Sequence, residues 1–81
     1  MKVRVKLFAV AKDLAGCDEL IVDVPEGATV ATLREKALAT APALAQIMPH
    51  ALWAVGAEYA RDDTVIAEKT EVALIPPVSG G

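Results

Sequence analysis

Between Lys2 and Leu7 the chain alternates without a break. Lys2, Arg4 and Lys6 share one parity, and Val3, Val5 and Leu7 the other. Side chains leave a strand on opposite faces with a period of two, so this is a strand with one wet face and one buried face. Phe8 falls on the parity of the three cations, an apolar residue on the polar side. The pattern returns at the far end of the chain. Glu71-Val72-Ala73-Leu74-Ile75 reads as a last strand with Val72 and Leu74 inward and Ala73 and Ile75 outward. Asp18 to Val24 forms another strand, with Leu20, Val22 and Val24 inside. It lies too close to the first strand for an ordinary crossover helix, which predicts an antiparallel hairpin.

The remaining segments fill in an α+β domain, with its helices to one side of a mostly antiparallel sheet. Ala9 to Ala15 predicts a short helix, with Val10 and Leu14 four apart and Gly16 as its stop. Thr29 is a suitable N-cap for the main helix, Val30 to about Thr40, whose apolar stripe is Val30, Leu33, Ala37 and Ala41. Residues 41–51 have no clear period. Leu52 to Val55 is a third strand, residues 56–58 a turn, and Tyr59-Ala60 a short strand. Residues 61–64 form a polar loop, after which Val65 and Ile66 are expected to pack back onto the core. The first and last strands are expected to be neighbours, which joins Phe8 and Ile75 in one exposed apolar patch. With 81 residues, this is one domain (1–75) and a tail (76–81).

The tail is unusual. Pro76 and Pro77 stop the last strand, because proline gives no N–H to a ladder and holds the preceding residue extended. Val78, Ser79, Gly80 and Gly81 follow. The six residues after Ile75 reach roughly 20 Å when extended. They read as a thin thread tipped by a carboxylate, with terminal slack as the plain alternative.

Other chemistry is scarce. At 54% apolar the chain is globular, and a net charge of −3 argues against nucleic acid as the main partner. No apolar run is long enough for a membrane span and the N-terminus lacks a signal-peptide core, so a soluble cytoplasmic protein is expected. No phosphate-loop motif occurs. One cysteine, Cys17, forms no internal disulfide, and His50 alone makes no zinc site. Asp62-Asp63 reads as a solvated turn and Trp53 as core or partly buried. No metal site is expected.

Leu7-Phe8-Ala9, Asp13-Leu14-Ala15-Gly16 and the run from Glu71 to Gly81 resemble the small subunit of molybdopterin synthase, the MoaD family of ubiquitin-like sulfur carriers. The resemblance spans the whole chain, and its ending is the most specific part. It implies a ubiquitin-like β-grasp, a mixed sheet with one main helix on one face and the first and last strands as a parallel central pair. It implies that an activating, E1-like enzyme uses ATP to adenylate Gly81, and that sulfur from a donor protein replaces AMP to give a thiocarboxylate. The tail would then enter the large subunit, within a heterotetramer, and give sulfur to cyclic pyranopterin monophosphate. The chain would thus be the sulfur-donating subunit of a sulfurtransferase, not catalytic alone and with no permanently bound cofactor. Phe8, Lys12, Tyr59, Leu74 and Ile75 match family positions near the large-subunit contact. Gly56 stands where asparagine is frequent, and Lys69 where a turn glycine is common, which leaves the geometry of that turn open. Three other readings stay open: a carrier for thiamin or tRNA thiolation, a ubiquitin-like modifier joined to lysines through Gly81, and a binding-only module.

Overall fold

The computed structural model describes residues 1–77. Its five-stranded sheet has the order β2-β1-β5-β3-β4. The strands are β1 (Lys2–Leu7), β2 (Glu19–Asp23), β3 (Leu52–Val55), β4 (Glu58–Ala60) and β5 (Val72–Ile75). β1 and β2 form the expected antiparallel hairpin. β1 and β5 run parallel at the centre, with Leu7 opposite Leu74, and β3 pairs antiparallel with both β5 and β4. This is the β-grasp arrangement that the resemblance implies.

Parity decides which residues build the core. Val3, Val5, Leu7, Leu20, Val22, Val72 and Leu74 are all buried on one face of the sheet. Helix α2 (Val30–Thr40) brings Val30, Leu33 and Ala37 against that face, while Ala41 is only half-buried. Full burial of a side chain of this size is worth about 1.5–3 kcal/mol, so this face carries most of the stability. Trp53 joins the core from β3, and its indole N–H has no hydrogen-bond partner among the described residues.

The aperiodic segment 41–51 consists of two 3-10 turns, Pro42–Gln46 and Met48–His50. They add Leu44, Ile47 and Met48 to the core. Each proline sits at the first or second position of its turn, where its missing N–H costs nothing. Helix α1 (Ala9–Ala15) departs from its expected stripe. Ala11 is its buried residue, Val10 is exposed and Leu14 only half-buried.

Residues 61–66 strap the start of α2. Val30 N–H donates to the Thr64 carbonyl and Ala31 N–H to that of Asp62, both at 3.0 Å. These are first-turn donors that the helix itself leaves unpaired. The Thr29 hydroxyl caps a third, accepting from Thr32 N–H at 3.5 Å. Arg34 grips the Asp62 carboxylate with two bonds of 2.7 and 2.9 Å. That grip lowers the Asp62 pKa and raises that of Arg34. Of the pair expected to pack back, only Ile66 does. Val65 is 59% exposed, because its backbone bridges Thr29 and its side chain falls on the outer parity.

Two turns show how the sequence meets left-handed geometry. Gly56 and Ala57 have φ of 59° and 66°, and Val55 pairs with Glu58 across them. Two central residues with positive φ define the tight hairpin turn that suits twisted strands. Asparagine and glycine both tolerate that geometry, so Gly56 departs from the family's residue without departing from its shape. Lys69 also adopts a left-handed φ of 63°, so its turn keeps a glycine-like conformation with a lysine in it.

Candidate functional site: an apolar half-face at the root of the tail

The outer face of the sheet is built by the same parity that fills the core. Ala73 and Ile75 of β5 point outward because Val72 and Leu74 point in. Leu52 pairs with Ile75, and Ala54 pairs with Ala73 on one side and Tyr59 on the other. Phe8 lies one step beyond the last paired residues of β1 and β5, Leu7 and Leu74. Two rows therefore run across the sheet. One is Phe8, Ile75 and Leu52; the other is Ala73, Ala54 and Tyr59, continued by Lys6 on β1.

These residues are open to solvent. Phe8 is 49% exposed, Leu52 54% and Tyr59 74%, with Ile75 half-buried beside them. The alanines leave a shallow floor between the larger side chains. A contiguous apolar patch of this kind marks a contact surface, whereas scattered apolar residues need no explanation. β5 ends at Ile75, within the patch, and the half-buried Pro76 and exposed Pro77 follow directly.

Phe8 is held in place from both sides. It is extended, with φ −128° and ψ 153°, and serves as the N-cap of α1 without a side-chain cap bond. Its carbonyl accepts from Ala11 N–H at 3.0 Å. Gly16, at φ 76°, closes the helix by donating to the Lys12 carbonyl at 2.9 Å. Lys12 is exposed and lines an open depression with Lys6 and Phe8.

The structure thus gathers Phe8, Ile75 and Tyr59 on one surface, with Lys12 at its margin. Leu74 must be corrected: it is 0% exposed, on the core face of the sheet, so it cannot offer its side chain to a partner in this fold. It supports the patch from beneath, as its parity with Val72 requires. Leu52 is the residue that sequence reasoning missed, although the inward parity of Trp53 and Val55 already places it outside. Val78, Ser79, Gly80 and Gly81 lie outside the described residues.

Elsewhere there is little reactive chemistry. Cys17 is a half-buried free thiol, and His50 is exposed at the end of a 3-10 turn. Among the described residues no group of three or more His, Cys, Asp or Glu could hold a metal ion, and no helix is long and apolar enough to cross a membrane.

Residues 5–81 match the ThiS family. The molybdopterin synthase sulfur carrier subunit of Chlamydomonas reinhardtii is 35% identical to this chain, and the alignment covers 100% of both. The crystal structure of SAMP1 from Haloferax volcanii superimposes with a TM-score of 0.90 at 31% identity, covering 100% of both chains. A putative molybdopterin converting factor subunit 1 from Pyrococcus furiosus superimposes with a TM-score of 0.84 at 30% identity, covering 96% of this chain and 99% of that one. With the family match running over residues 5–81 and full-length relatives above 30% identity, the chain belongs to the ThiS family.

Proposed function

We propose that this protein is the sulfur carrier subunit of a molybdopterin synthase. The observation that carries the reading is positional. The apolar rows of the outer face reach Ile75, where β5 ends, and the Pro76-Pro77 segment starts there. A partner that covers Phe8, Leu52, Tyr59 and Ile75 is therefore placed to receive the tail. The relative from Chlamydomonas carries the same role in its name.

The chemistry is that of a terminal carboxylate. A carboxylate is a poor acyl donor until it bears a good leaving group. An activating enzyme supplies one by joining AMP from ATP to the Gly81 carboxylate and releasing pyrophosphate. Sulfide-level sulfur supplied by a donor protein then attacks the acyl carbon and displaces AMP, leaving a thiocarboxylate. In the large subunit two such groups in turn each give one sulfur to a cyclic pyranopterin monophosphate, the C–S bond of each breaking as water adds to its acyl carbon and returns it to a carboxylate. The body of the domain binds and aims; it holds no ATP and no metal of its own in this scheme. Glycines at 80 and 81 suit the narrow approach, since they add no side chain to the thread. The cytoplasm is the compartment in which this exchange is placed.

Reconstitution tests this. Thiocarboxylated protein mixed with the large subunit and cyclic pyranopterin monophosphate should yield the dithiolene product, and protein with a blocked C-terminus should yield none. A second reading has its own support: SAMP1 of Haloferax volcanii is described as a small archaeal modifier protein. An activated glycyl group that meets an amine in place of sulfide forms an isopeptide. Recovery of Gly81 linked to lysines of other proteins, with no dithiolene formed, would decide for that reading.

A further inference from the structure

The other half of the outer face carries a feature independent of the sulfur-carrier reading. β5 begins at Val72, opposite Val5, so the first part of β1 has β2 on one side and no strand on the other. Residues 67–71 pass along that side and leave a groove of about 540 Å3. The backbone of β1 is open towards it. Val24 N–H donates to the Met1 carbonyl and Leu7 N–H to that of Asp18, each at 2.9 Å. Hydrogen bonding alternates along an antiparallel pair, so the odd residues of β1 bond to β2 and the peptide groups of Lys2 and Arg4 face away from it; the parallel pairing of Val5 with Val72 takes up the Arg4 carbonyl, which leaves the Lys2 peptide groups and the Arg4 N–H on the open side. Among the described residues no backbone hydrogen bond joins Lys2 to residues 67–71.

The charge of the groove opposes that of the chain. Four of the eight Lys and Arg residues line it (Lys2, Arg4, Lys6 and Lys69), against three glutamates, while the rest of the chain has four basic and eight acidic residues. Arg4 and Lys6 reach Glu19 and Glu71 at 3.9 and 3.4 Å, exposed pairs of the kind that exchange readily for other partners. Lys2 and Lys69 make no ion pair within 4.0 Å among the described residues. Lys69 is also held at left-handed φ, where glycine would sit without strain. A strained residue that keeps a long cationic side chain beside an open strand edge points to use.

We propose that this groove docks an extended, acidic segment of a partner protein, which adds as a strand to the free edge of β1. Backbone bonds to the Lys2 N–H and carbonyl and to the Arg4 N–H supply affinity in such an addition, and alternate side chains supply specificity. Lys2, Arg4 and Lys6 stand on one face at two-residue steps of about 6.8 Å, which matches an acid at every second position of the incoming strand.

The test uses the full chain, isotopically labelled, titrated with the peptide Glu-Val-Glu-Val-Glu. Amide shifts should concentrate at Lys2, Arg4 and residues 68–70, and the affinity should fall as salt rises. The double variant Lys2→Glu/Lys69→Glu should bind at least about tenfold more weakly with its melting transition unchanged, since charge complementarity sets such contacts. Equal shifts with inorganic phosphate alone would make this an anion site and overturn the proposal. Tighter binding of a single-stranded oligonucleotide, shifts centred on Phe8, Leu52 and Ile75, or no shift at millimolar peptide would overturn it as well.

Discussion

The outer face of this sheet is two surfaces. Across β2 and the first part of β1 it presents Glu19, Asp23, Lys2, Arg4 and Lys6 around Ile21. Across β5, β3 and β4 it presents Ile75, Leu52, Tyr59 and two alanines, with Phe8 at the corner. Both halves cover the same core, and both obey the same alternation. The difference therefore does not come from folding, which asks only that the inner parity be apolar. A charged outer row satisfies a solvated sheet; an apolar row is explained by something that covers it. The apolar half is also the half in which the last strand ends, the position from which the proposed function would have docking deliver the tail.

This contrast depends on the register of β5, and a one-residue slip would exchange its faces. The largest effect is expected from breaking that register. Leu74→Lys places a charge in the buried core beside Leu7 and Trp53, with no buried polar or charged residue among the described residues to pair with it. Its cost should be about 4 kcal/mol or more, a large share of the stability of so small a domain. Thermal melts should show loss of the cooperative transition.

Ile75→Lys sharpens the same comparison from the outer side. It should alter stability by less than about 1 kcal/mol. Binding to the large subunit should weaken roughly thirtyfold or more, since a central anchor is typically worth about 2 kcal/mol and 1.4 kcal/mol is a factor of ten. Leu52→Lys should behave alike, whereas Lys2→Ala on the charged half should change this affinity less than about twofold. A binding titration on the three variants separates the halves.

Much of this was legible because strands report burial every second residue. β1, β2 and β5, their inward sets, and the outward placement of Phe8 and Ile75 all follow from parity, while the adjacency of β1 and β5 comes from the strand order and the resemblance. What was not legible has physical causes. Leu44, Ile47 and Met48 enter the core from 3-10 turns broken by Pro42 and Pro49, so no helical or strand period runs through them. The Arg34–Asp62 contact joins residues 28 apart in sequence, for which no local pattern exists. Leu74 received two conflicting expectations, inward by parity and at the interface by resemblance, and packing decides for parity.

Smaller effects test the turns. Ala57→Gly removes a Cβ from left-handed geometry and should stabilise by about 0.5–1 kcal/mol, raising Tm by a few degrees. It touches neither half of the outer face, so large-subunit binding should not change. The smallest effect concerns acid. Arg34 holds the Asp62 pKa below its unfolded value, so in acid the unfolded chain binds more protons at this site. The site's contribution is present above the ordinary carboxylate pKa, near about 4, and is lost as pH falls through the lower folded value. Asp62→Asn should lower stability slightly at neutral pH, leave the low-pH value little changed, and so flatten the acid limb of a stability–pH profile.

In the proposed function the domain is a handle for its last residue. The direct measurement is intact-mass and fragment analysis of the protein after incubation with its activating enzyme, ATP and a sulfur donor. One oxygen should be replaced by sulfur, with the fragment ions placing it on Gly81. Sulfur placed on Cys17, or an unchanged C-terminal fragment, would contradict the account.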